Sequence, residues 1–212
     1  MGRSFARIAF TPLVKKQQTL HGSRSQYERV EQSSREGDAL TEAERAFIRS
    51  RNSFYLATVS ETGWPYIQHR GGEPGFLHVL DDRTLAFADY RGNKQYLSLG
   101  NIEHDDRVAL FMMDYPTQSR LKVLGHAEVK EGASAQQLID KLSAPAVRAV
   151  VERVIVIRIE AFDWNCQQYI TPRFTEEQVV QVIEPLRQRL AELEEENKRL
   201  RDEIVLKLSN AG

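Results

Sequence analysis

A glycine flanked by cations and an amide follows an apolar segment in the stretch "LAFADYRGNKQYLSLGN", residues 85–101. If "TLAFADY" is a strand and "NKQYLSLGN" a helix, Asn93 is the helix N-cap and the free N–H groups of the first turn point at the preceding residues. Gly92 removes a side chain and lets another group approach the backbone closely. With the mobile cation of Lys94, these features predict a cradle for a phosphate. The alternative is an ordinary cap on a solvated turn.

A second cation follows another short segment with strand character. The segment "PYIQHRGG" contains Gln68, His69 and Arg70, followed by two glycines. A guanidinium fork matches two phosphate oxygens, so Arg70 could bind the same phosphate bidentately. The alternative is an arginine at a strand end that faces water.

The segments that would position these residues have mainly strand character. "SFYLATVS" and "PYIQHR" flank "ETGW", and "FLHVL" and "TLAFADY" flank "DDR", so each pair predicts a hairpin. "RVALFMMD", "RLKVLGHAEVKE" and "RVIVIRIEAFDW" follow, and a helix is predicted from about Ala133 to Leu142. At least six short strands and few helices predict a mainly β fold with some α (α+β). We expect a small antiparallel barrel that leaves no sheet edge exposed.

Three regions are predicted along the chain: an N-terminal arm over residues 1–40, the barrel over residues 41–174 and a C-terminal helix over residues 175–208. The sequence Thr41-Glu42-Ala43-Glu44 fits a capping box, which predicts a short helix that ends at about Arg49. Thr175, followed by two glutamates, is the predicted N-cap of the C-terminal helix. Pro185 is expected to break or restart that helix.

A heptad pattern follows in the C-terminal helix. Its a positions are Ile183, Leu190, Asn197 and Ile204, and its d positions are Leu186, Leu193 and Leu200. Asparagine at a favours a parallel two-stranded register, because it can pair with its symmetry mate. Arg189 would face Glu194 of a partner, and Glu196 would face Arg201. The pattern predicts a dimerising coiled coil; the alternative is an amphipathic helix packed on its own barrel. "ITPRFTEEQVVQVIE" is not the basic segment that a DNA-binding zipper needs.

Composition excludes several classes of protein. The chain has 212 residues and a formal net charge of −1, so no global field attracts nucleic acid or a membrane surface. Its single cysteine, Cys166, excludes an internal disulfide, and its five histidines show no metal-ligand spacing. No apolar run is long enough to cross a bilayer. A cytoplasmic protein without a metal site is the simplest expectation.

The segments "FADYRGNKQY" and "DWNCQQYITPRF" resemble the pyridoxamine 5′-phosphate oxidase-like flavoproteins, and the resemblance covers roughly residues 40–175. It implies a split β-barrel that binds FMN at the interface of a homodimer. In the family, a strand-end arginine and a Ser-Arg-Lys turn bind the FMN phosphate, and these match Arg70 and the turn Gly92-Asn93-Lys94. Because Ser-Arg is replaced by Gly-Asn, one phosphate contact is expected to pass to the backbone N–H of Asn93.

The resemblance implies further contacts to the flavin of the partner subunit. Trp164 and Arg173 occupy the positions of a family tryptophan and arginine that make such contacts. A family amide side chain is matched by Arg120, counting back from Gly125. The complete predicted cofactor site comprises Gln68, His69, Arg70, Asp89, Tyr90, Gly92, Asn93, Lys94, Gln95, Arg120, Trp164 and Arg173.

The residues that hold the substrate in true pyridoxamine phosphate oxidases are not matched. Gly75 replaces a lysine, the segment "SAQQLIDKLSAPAV" has neither the tyrosine nor the arginine, and Tyr169-Ile170-Thr171 replaces an Arg-Leu-His run. The resemblance therefore implies an FMN-dependent oxidoreductase that acts on another small molecule. The alternatives are a non-catalytic flavin- or haem-binding module, a deazaflavin-dependent reductase, and a cofactor-free interaction protein that dimerises through its zipper.

Overall fold

Seven strands pair into one antiparallel sheet in the computed structural model, which describes residues 3–33, 39–142, 151–164 and 168–209. The strands are β1 (Ser53–Val59), β2 (Pro65–Gly71), β3 (His78–Val79), β4 (Thr84–Tyr90), β5 (Arg107–Asp114), β6 (Ser119–Lys130) and β7 (Val151–Trp164). The helices are α1 (Arg3–Ala9), α2 (Pro12–Leu20), α3 (Arg24–Gln32), α4 (Glu42–Arg49), α5 (Leu97–His104), α6 (Ala133–Leu142) and α7 (Glu176–Ser209). The chain divides into two units, Met1–Ile170 and Thr171–Gly212.

The strand order is β2-β1-β5-β6-β7-β4-β3, and neighbouring strands are antiparallel. This confirms the predicted antiparallel α+β fold. The expectation that no sheet edge is exposed is wrong, because the order ends at β2 and β3 within the described residues. Side chains along β2 are alternately exposed and half-buried, as in an edge strand. The barrel is therefore split rather than closed.

The core lies on the inner face of the sheet, where alternate residues of each strand meet. Its members include Phe54, Leu56, Leu85, Phe87, Leu110, Met112, Leu121, Val123, Ile155 and Ile157. Each fully buried side chain of this kind contributes roughly 1.5–3 kcal/mol to folding. Strand β4 is also covered on its other face, where Ala86 packs with Leu142 of α6. This double coverage explains why β4 is apolar along most of its length.

The predicted capping box is confirmed at the start of α4. The backbone N–H of Thr41 donates to Glu44 Oε2 at 3.0 Å, and the Thr41 side chain completes the reciprocal pair. The helix ends at Arg49, where the sequence predicted. The predicted hairpin turn between β1 and β2 is also present, with Gly63 at a φ of +83° that favours glycine.

The described part of the N-terminal arm contains three helices, α1 to α3. Helix α1 packs against β7, and its residues Phe5 and Ala6 are buried. The Lys122 ammonium of β6 lies 4.8 Å from the centroid of the Phe5 ring. Most of the predicted loop "SSREGD" lies outside the described residues, and so does the segment that contains Asn165 and Cys166.

Helix α7 runs without a break from Glu176 to Ser209, so the prediction that Pro185 would break or restart it is wrong. Proline removes one backbone donor, and its exposed position lets water satisfy the carbonyl that this donor would have bound. The predicted cap is present: the N–H of Gln178 donates to Thr175 Oγ1 at 3.3 Å. Among the described helices, none is both long and apolar enough to cross a bilayer.

Candidate phosphate and cofactor site

Strands β2 and β4 and the turn before α5 converge on one pocket at the end of the barrel. Eight of the twelve predicted cofactor residues line it: Gln68, Arg70, Asp89, Tyr90, Gly92, Asn93, Lys94 and Gln95. The other lining residues are Tyr66, Tyr96, Leu97, Ser98, Leu99, Glu152 and Arg153. The structure thus brings together the strand-end arginine and the glycine turn, which are separated by about twenty residues in the sequence.

Strand alternation selects which residues of β2 face the pocket. Gln68 pairs with Leu56 and Arg70 with Phe54, so both side chains point to the inner face. The hydroxyl of Ser98, in the first turn of α5, donates to Gln68 Oε1 at 2.8 Å. This bond fixes the Gln68 carbonyl oxygen and thereby orients its amide N–H groups, which can donate to a ligand.

Asp89 is the centre of the charge network in this pocket. Its Oδ1 accepts a hydrogen bond from Arg70 Nη1 at 2.6 Å, and its Oδ2 accepts one from Arg153 Nη1 at 3.1 Å. The Asp89 side chain is buried, so each of these ion pairs is shielded from water. Arg153 was not predicted from the sequence. The β4–β7 register places it directly opposite Asp89.

Arg153 is held by two further carboxylates. Its Nε donates to Glu131 at 2.7 Å and its Nη2 donates to Glu152 at 3.0 Å. Burial alone would lower the pKa of Arg153, but the hydrogen bond to Glu131 and the charges of Asp89, Glu131 and Glu152 raise it. With these three carboxylates as partners, Arg153 serves to hold Asp89 rather than to bind a ligand.

Glu152 connects this network to the glycine turn. Arg91 Nε donates to Glu152 Oε1 at 2.8 Å. That hydrogen bond is the main cause of a lowered pKa at Glu152, and the charges of Arg153, Arg91 and Lys94 lower it further. Lys94 is therefore close enough to act on this carboxylate.

Cations exceed carboxylates around the pocket by one. The cations are Arg70, Arg91, Lys94 and Arg153, and the carboxylates are Asp89, Glu131 and Glu152. A phosphate carries about −1.5 to −2 at neutral pH and would more than offset this excess. The electrostatics of the pocket therefore suit an anion.

The glycine turn differs from the predicted one. Asn93 is not the helix N-cap, because α5 begins at Leu97 and its N-cap is Tyr96. The Asn93 side chain instead accepts a hydrogen bond from the backbone N–H of Gln95 at 3.2 Å, which closes a local turn. Lys94 and Tyr96 adopt left-handed φ values of 61° and 54°, and this lengthens the turn before the helix can start.

Two features of the pocket fit the phosphate end of FMN. Gly92 has open space where a side chain would be: an added Cβ meets nothing within 4 Å. The Nε of Arg70 is buried without a hydrogen-bond partner among the described residues, although Nη1 is paired with Asp89. A buried unpaired donor is costly, and a phosphate oxygen would satisfy it. The residues present therefore fit the phosphate group.

Two other predicted residues lie on the outer face of the sheet. His69 alternates away from the pocket and packs edge-on against Tyr55, with ring centroids 5.6 Å apart. Arg120 pairs with Met113 of β5, and Phe111, two residues before Met113, pairs with Tyr55. Because alternate residues of a strand share a face, Arg120 lies on the same face of the sheet as Tyr55. The pocket in this chain is formed without them.

The last two predicted residues are Trp164 and Arg173. Trp164 ends β7, where its indole N–H donates to Glu44 Oε1 at 2.6 Å and its ring packs edge-on against Phe47, at 4.8 Å. Burial opposes ionisation of Glu44, but the hydrogen bonds from Thr41 and Trp164 outweigh it, so the pKa of Glu44 is lowered. Arg173 is an exposed residue of the second unit.

Comparisons with known proteins found several solved structures that resemble parts of the chain. Solved structures similar to the chain include a candidate pyridoxamine 5′-phosphate oxidase from Lactobacillus delbrueckii, with 28% identity over 59% of this chain and 94% of that chain and a TM-score of 0.47. HupZ from Group A Streptococcus shows 20% identity, 64% and 99% coverage and a TM-score of 0.46. An F420 reductase shows 23% identity, 56% and 94% coverage and a TM-score of 0.40. Among curated proteins, none matches this chain.

The sequence model of the family described as "Pyridoxamine 5'-phosphate oxidase" matches residues 40–165, more than half of the chain. The matched range contains the whole of the pocket described above, from β2 through the glycine turn to Arg153. It also contains all seven strands of the sheet. The chain therefore belongs to the pyridoxamine 5′-phosphate oxidase family.

Proposed function

We propose that this protein is a homodimeric FMN-binding flavoprotein and an oxidoreductase that acts on a small molecule. The family includes oxidoreductases that bind flavins or related cofactors. The observation that carries the proposal is that Arg70, whose buried Nε has no partner among the described residues, lies beside the open glycine turn. Such a site would hold the phosphate that distinguishes FMN from riboflavin.

Each pocket residue has a definite part in holding FMN. Arg70 would bind the phosphate through the N–H groups that do not bind Asp89, while Asp89 fixes the orientation of the guanidinium. Lys94 would add a second positive charge, and Gly92 leaves the space that the phosphate needs. Gln68, held by Ser98, would donate its amide N–H groups to the cofactor. Bound FMN would supply the redox chemistry, because its ring exchanges a hydride, and the protein supplies position and electrostatics.

The outer face of the sheet supports the dimer. Tyr55, Val59 and Ile67 on β1 and β2 are 41%, 37% and 64% exposed, and together they form an apolar patch. Apolar side chains exposed together on one face of a sheet are suited to a protein–protein contact. Arg120 lies on the same face, where a second copy would bring it near a cofactor bound to its partner. A two-fold dimer would create two identical cofactor sites.

Pyridoxamine phosphate is not the substrate in this proposal. Gly75 takes the place of the family lysine, and its φ of +87° is a backbone conformation that side chains rarely adopt. Tyr169, in place of the family arginine, is fully exposed at the surface. Neither residue can supply the cation that a second phosphate would require.

The proposal is tested by identifying the chromophore. The purified protein should show a flavin absorption spectrum, and the released compound should have the mass of FMN. Protein stripped of its cofactor should bind FMN more tightly than riboflavin and more tightly than F420. A haem band, a preference for F420, or failure to bind any of these compounds would contradict the proposal.

The oxidoreductase part requires its own measurement. Reduced protein should be reoxidised in stopped-flow experiments by one member of a panel of small-molecule acceptors, and pyridoxamine phosphate should not reduce the oxidised protein. Reduction by pyridoxamine phosphate at a catalytic rate would overturn the substrate assignment. It would leave the assignment of FMN intact.

A further inference from the structure

Helix α7 carries an uncovered apolar seam. The helix is 34 residues long, and none of its described residues is buried. The exposed apolar residues at the heptad positions a and d are Val179, Ile183, Leu186, Leu190, Leu193, Leu200 and Ile204. An isolated helix that exposes such a seam is stabilised when the seam packs against a partner.

The proline lies outside this seam. Pro185 is at heptad position c, between Ile183 at a and Leu186 at d. Its ring therefore does not interrupt the a and d rows, and the helix continues through it. This continuity extends the seam from Val179 to Ile204 without a shift in the heptad.

The charge of α7 excludes an anionic lipid surface as the partner. The helix contains nine acidic and six basic side chains. Helices that bind anionic lipid surfaces carry an excess of lysine and arginine on the polar face. The acidic excess favours a protein partner for the seam.

Asn197 indicates which partner and which direction. In a parallel pair in register, each a residue meets the same residue of the other helix, so the two Asn197 amides can bond to one another. In an antiparallel pair, a residues face d residues, and Asn197 would be buried opposite leucine. An unpaired buried amide costs about 1–3 kcal/mol. Asn197 therefore favours a second copy of this helix, parallel and in register.

The flanking charges agree with that register. In a parallel pair, Arg189 at g faces the partner's Glu194 at e, and Glu196 at g faces the partner's Arg201 at e. Within one chain, Arg189 instead pairs with Glu192 at 2.9 Å, and both side chains are largely exposed. An exposed ion pair contributes little, so Arg189 can exchange Glu192 for the partner's Glu194 at small cost.

We infer that α7 forms a parallel, in-register, two-stranded coiled coil with α7 of a second copy of this chain. Isoleucine at two of the a positions and leucine at three of the d positions favour two strands over three or four. This inference rests on α7 alone and does not depend on which cofactor the barrel binds.

Disulfide trapping in the full-length chain tests the pairing. In a Cys166→Ser background, Leu200→Cys places a thiol at a d position, where the two copies meet. Asp202→Cys places one at an f position, on the far side of the helix, and is the matched control. Under mild oxidation, the Leu200→Cys chain should form a covalent dimer at least tenfold faster than the control. Equal rates would overturn the inference.

Charge reversal tests the register. In the trapping background, Arg189→Glu should slow disulfide formation several-fold, because it places two glutamates opposite each other. Glu194→Arg should do the same by placing two arginines opposite each other. The double variant should restore the rate, since the pair is reversed but complementary. If the double variant is as slow as the single variants, or if no variant changes the rate, the proposed register is wrong.

Discussion

Arg70 and Asp89 form a 2.6 Å ion pair between neighbouring ends of β2 and β4, and Asp89 is shared with Arg153 of β7. One carboxylate therefore fixes two guanidinium groups from two other strands. The pair leaves Arg70 Nε buried and without a partner in the described part of the chain. A cation held in this way needs little reorganisation to bind an anion, and preorganisation of this kind increases affinity.

Asp89→Asn should destabilise the fold. The substitution leaves Arg70 and Arg153 without their shared counter-charge, and removing one partner of a buried ion pair costs about 3 kcal/mol or more. Urea denaturation of the apoprotein would measure the loss. The matched control is Glu42→Gln, whose ion pair with Arg49 is exposed on both sides, and it should leave stability nearly unchanged. Equal stabilities for Asp89→Asn and the wild type would show that the network does not hold the strand ends together.

Arg153→Gln should weaken FMN binding although Arg153 is not expected to touch the cofactor. The variant loses the group that orients Asp89 and, through it, Arg70. We expect the Kd for FMN to rise about tenfold, which corresponds to roughly 1.4 kcal/mol. The Kd for riboflavin should be unchanged, because riboflavin has no phosphate. A parallel loss for both ligands in fluorescence titrations would instead indicate a general disturbance of the pocket.

Glu44→Gln should lower stability at neutral pH and much less in acid. The pKa of Glu44 is lowered from 4.5 in the folded chain, so its ionised form stabilises the fold above that value. This contribution is lost as the pH falls through the lowered pKa of the folded chain. At pH 7 we expect a loss of about 1.5 kcal/mol, typical of a charge-assisted hydrogen bond.

The measurement for Glu44 is urea denaturation at pH 7 and at pH 3, followed by the fluorescence of the two tryptophans. Glu42→Gln is the matched control, because Glu42 lies on the same helix but is exposed. If the Glu44 variant and the wild type differ in stability by the same amount at both pH values, ionisation of Glu44 does not stabilise the fold.

Gly125→Ala should destabilise the sheet. A Cβ at this position would lie 2.4 Å from the backbone oxygen of Arg158, at the point where the β6–β7 register shifts. Overpacking against backbone costs about 1–3 kcal/mol. Gly100→Ala is the opposite case, because the added methyl group meets nothing within 4 Å inside α5. It should stabilise the protein by about 0.5–1 kcal/mol. Thermal denaturation should therefore show a lower Tm for Gly125→Ala and a higher Tm for Gly100→Ala than for the wild type.

The features that the sequence predicted correctly are those that residues adjacent in the sequence determine. The capping box at Thr41 and Glu44, the turn at Gly63 and the end of α4 each depend on a few adjacent residues. The sequence also indicated that Arg70 and Lys94 belong together, first from their chemistry as phosphate-binding cations and then from the resemblance to a family. The structure places both residues in one pocket.

Features that depend on strand register could not be predicted in this way. Arg153 is 64 positions from Asp89, and only the β4–β7 pairing brings them together. The contact of Trp164 with Glu44 spans 120 positions and joins the end of β7 to helix α4, which only the tertiary fold brings together. The prediction of Asn93 as the helix N-cap failed for a local reason, because Lys94 and Tyr96 adopt positive φ values and extend the turn. Residues other than glycine rarely indicate such a conformation in a sequence.

Paired titrations with FMN and riboflavin test most directly whether the pocket binds the phosphate of FMN, as we propose. Arg70→Gln and Lys94→Gln should each raise the Kd for FMN about tenfold or more and leave the Kd for riboflavin unchanged. Arg158→Gln removes an exposed arginine of β7 outside the pocket and should change neither value. Unchanged FMN affinity in both pocket variants, or an equal loss for FMN and riboflavin, would contradict the phosphate site.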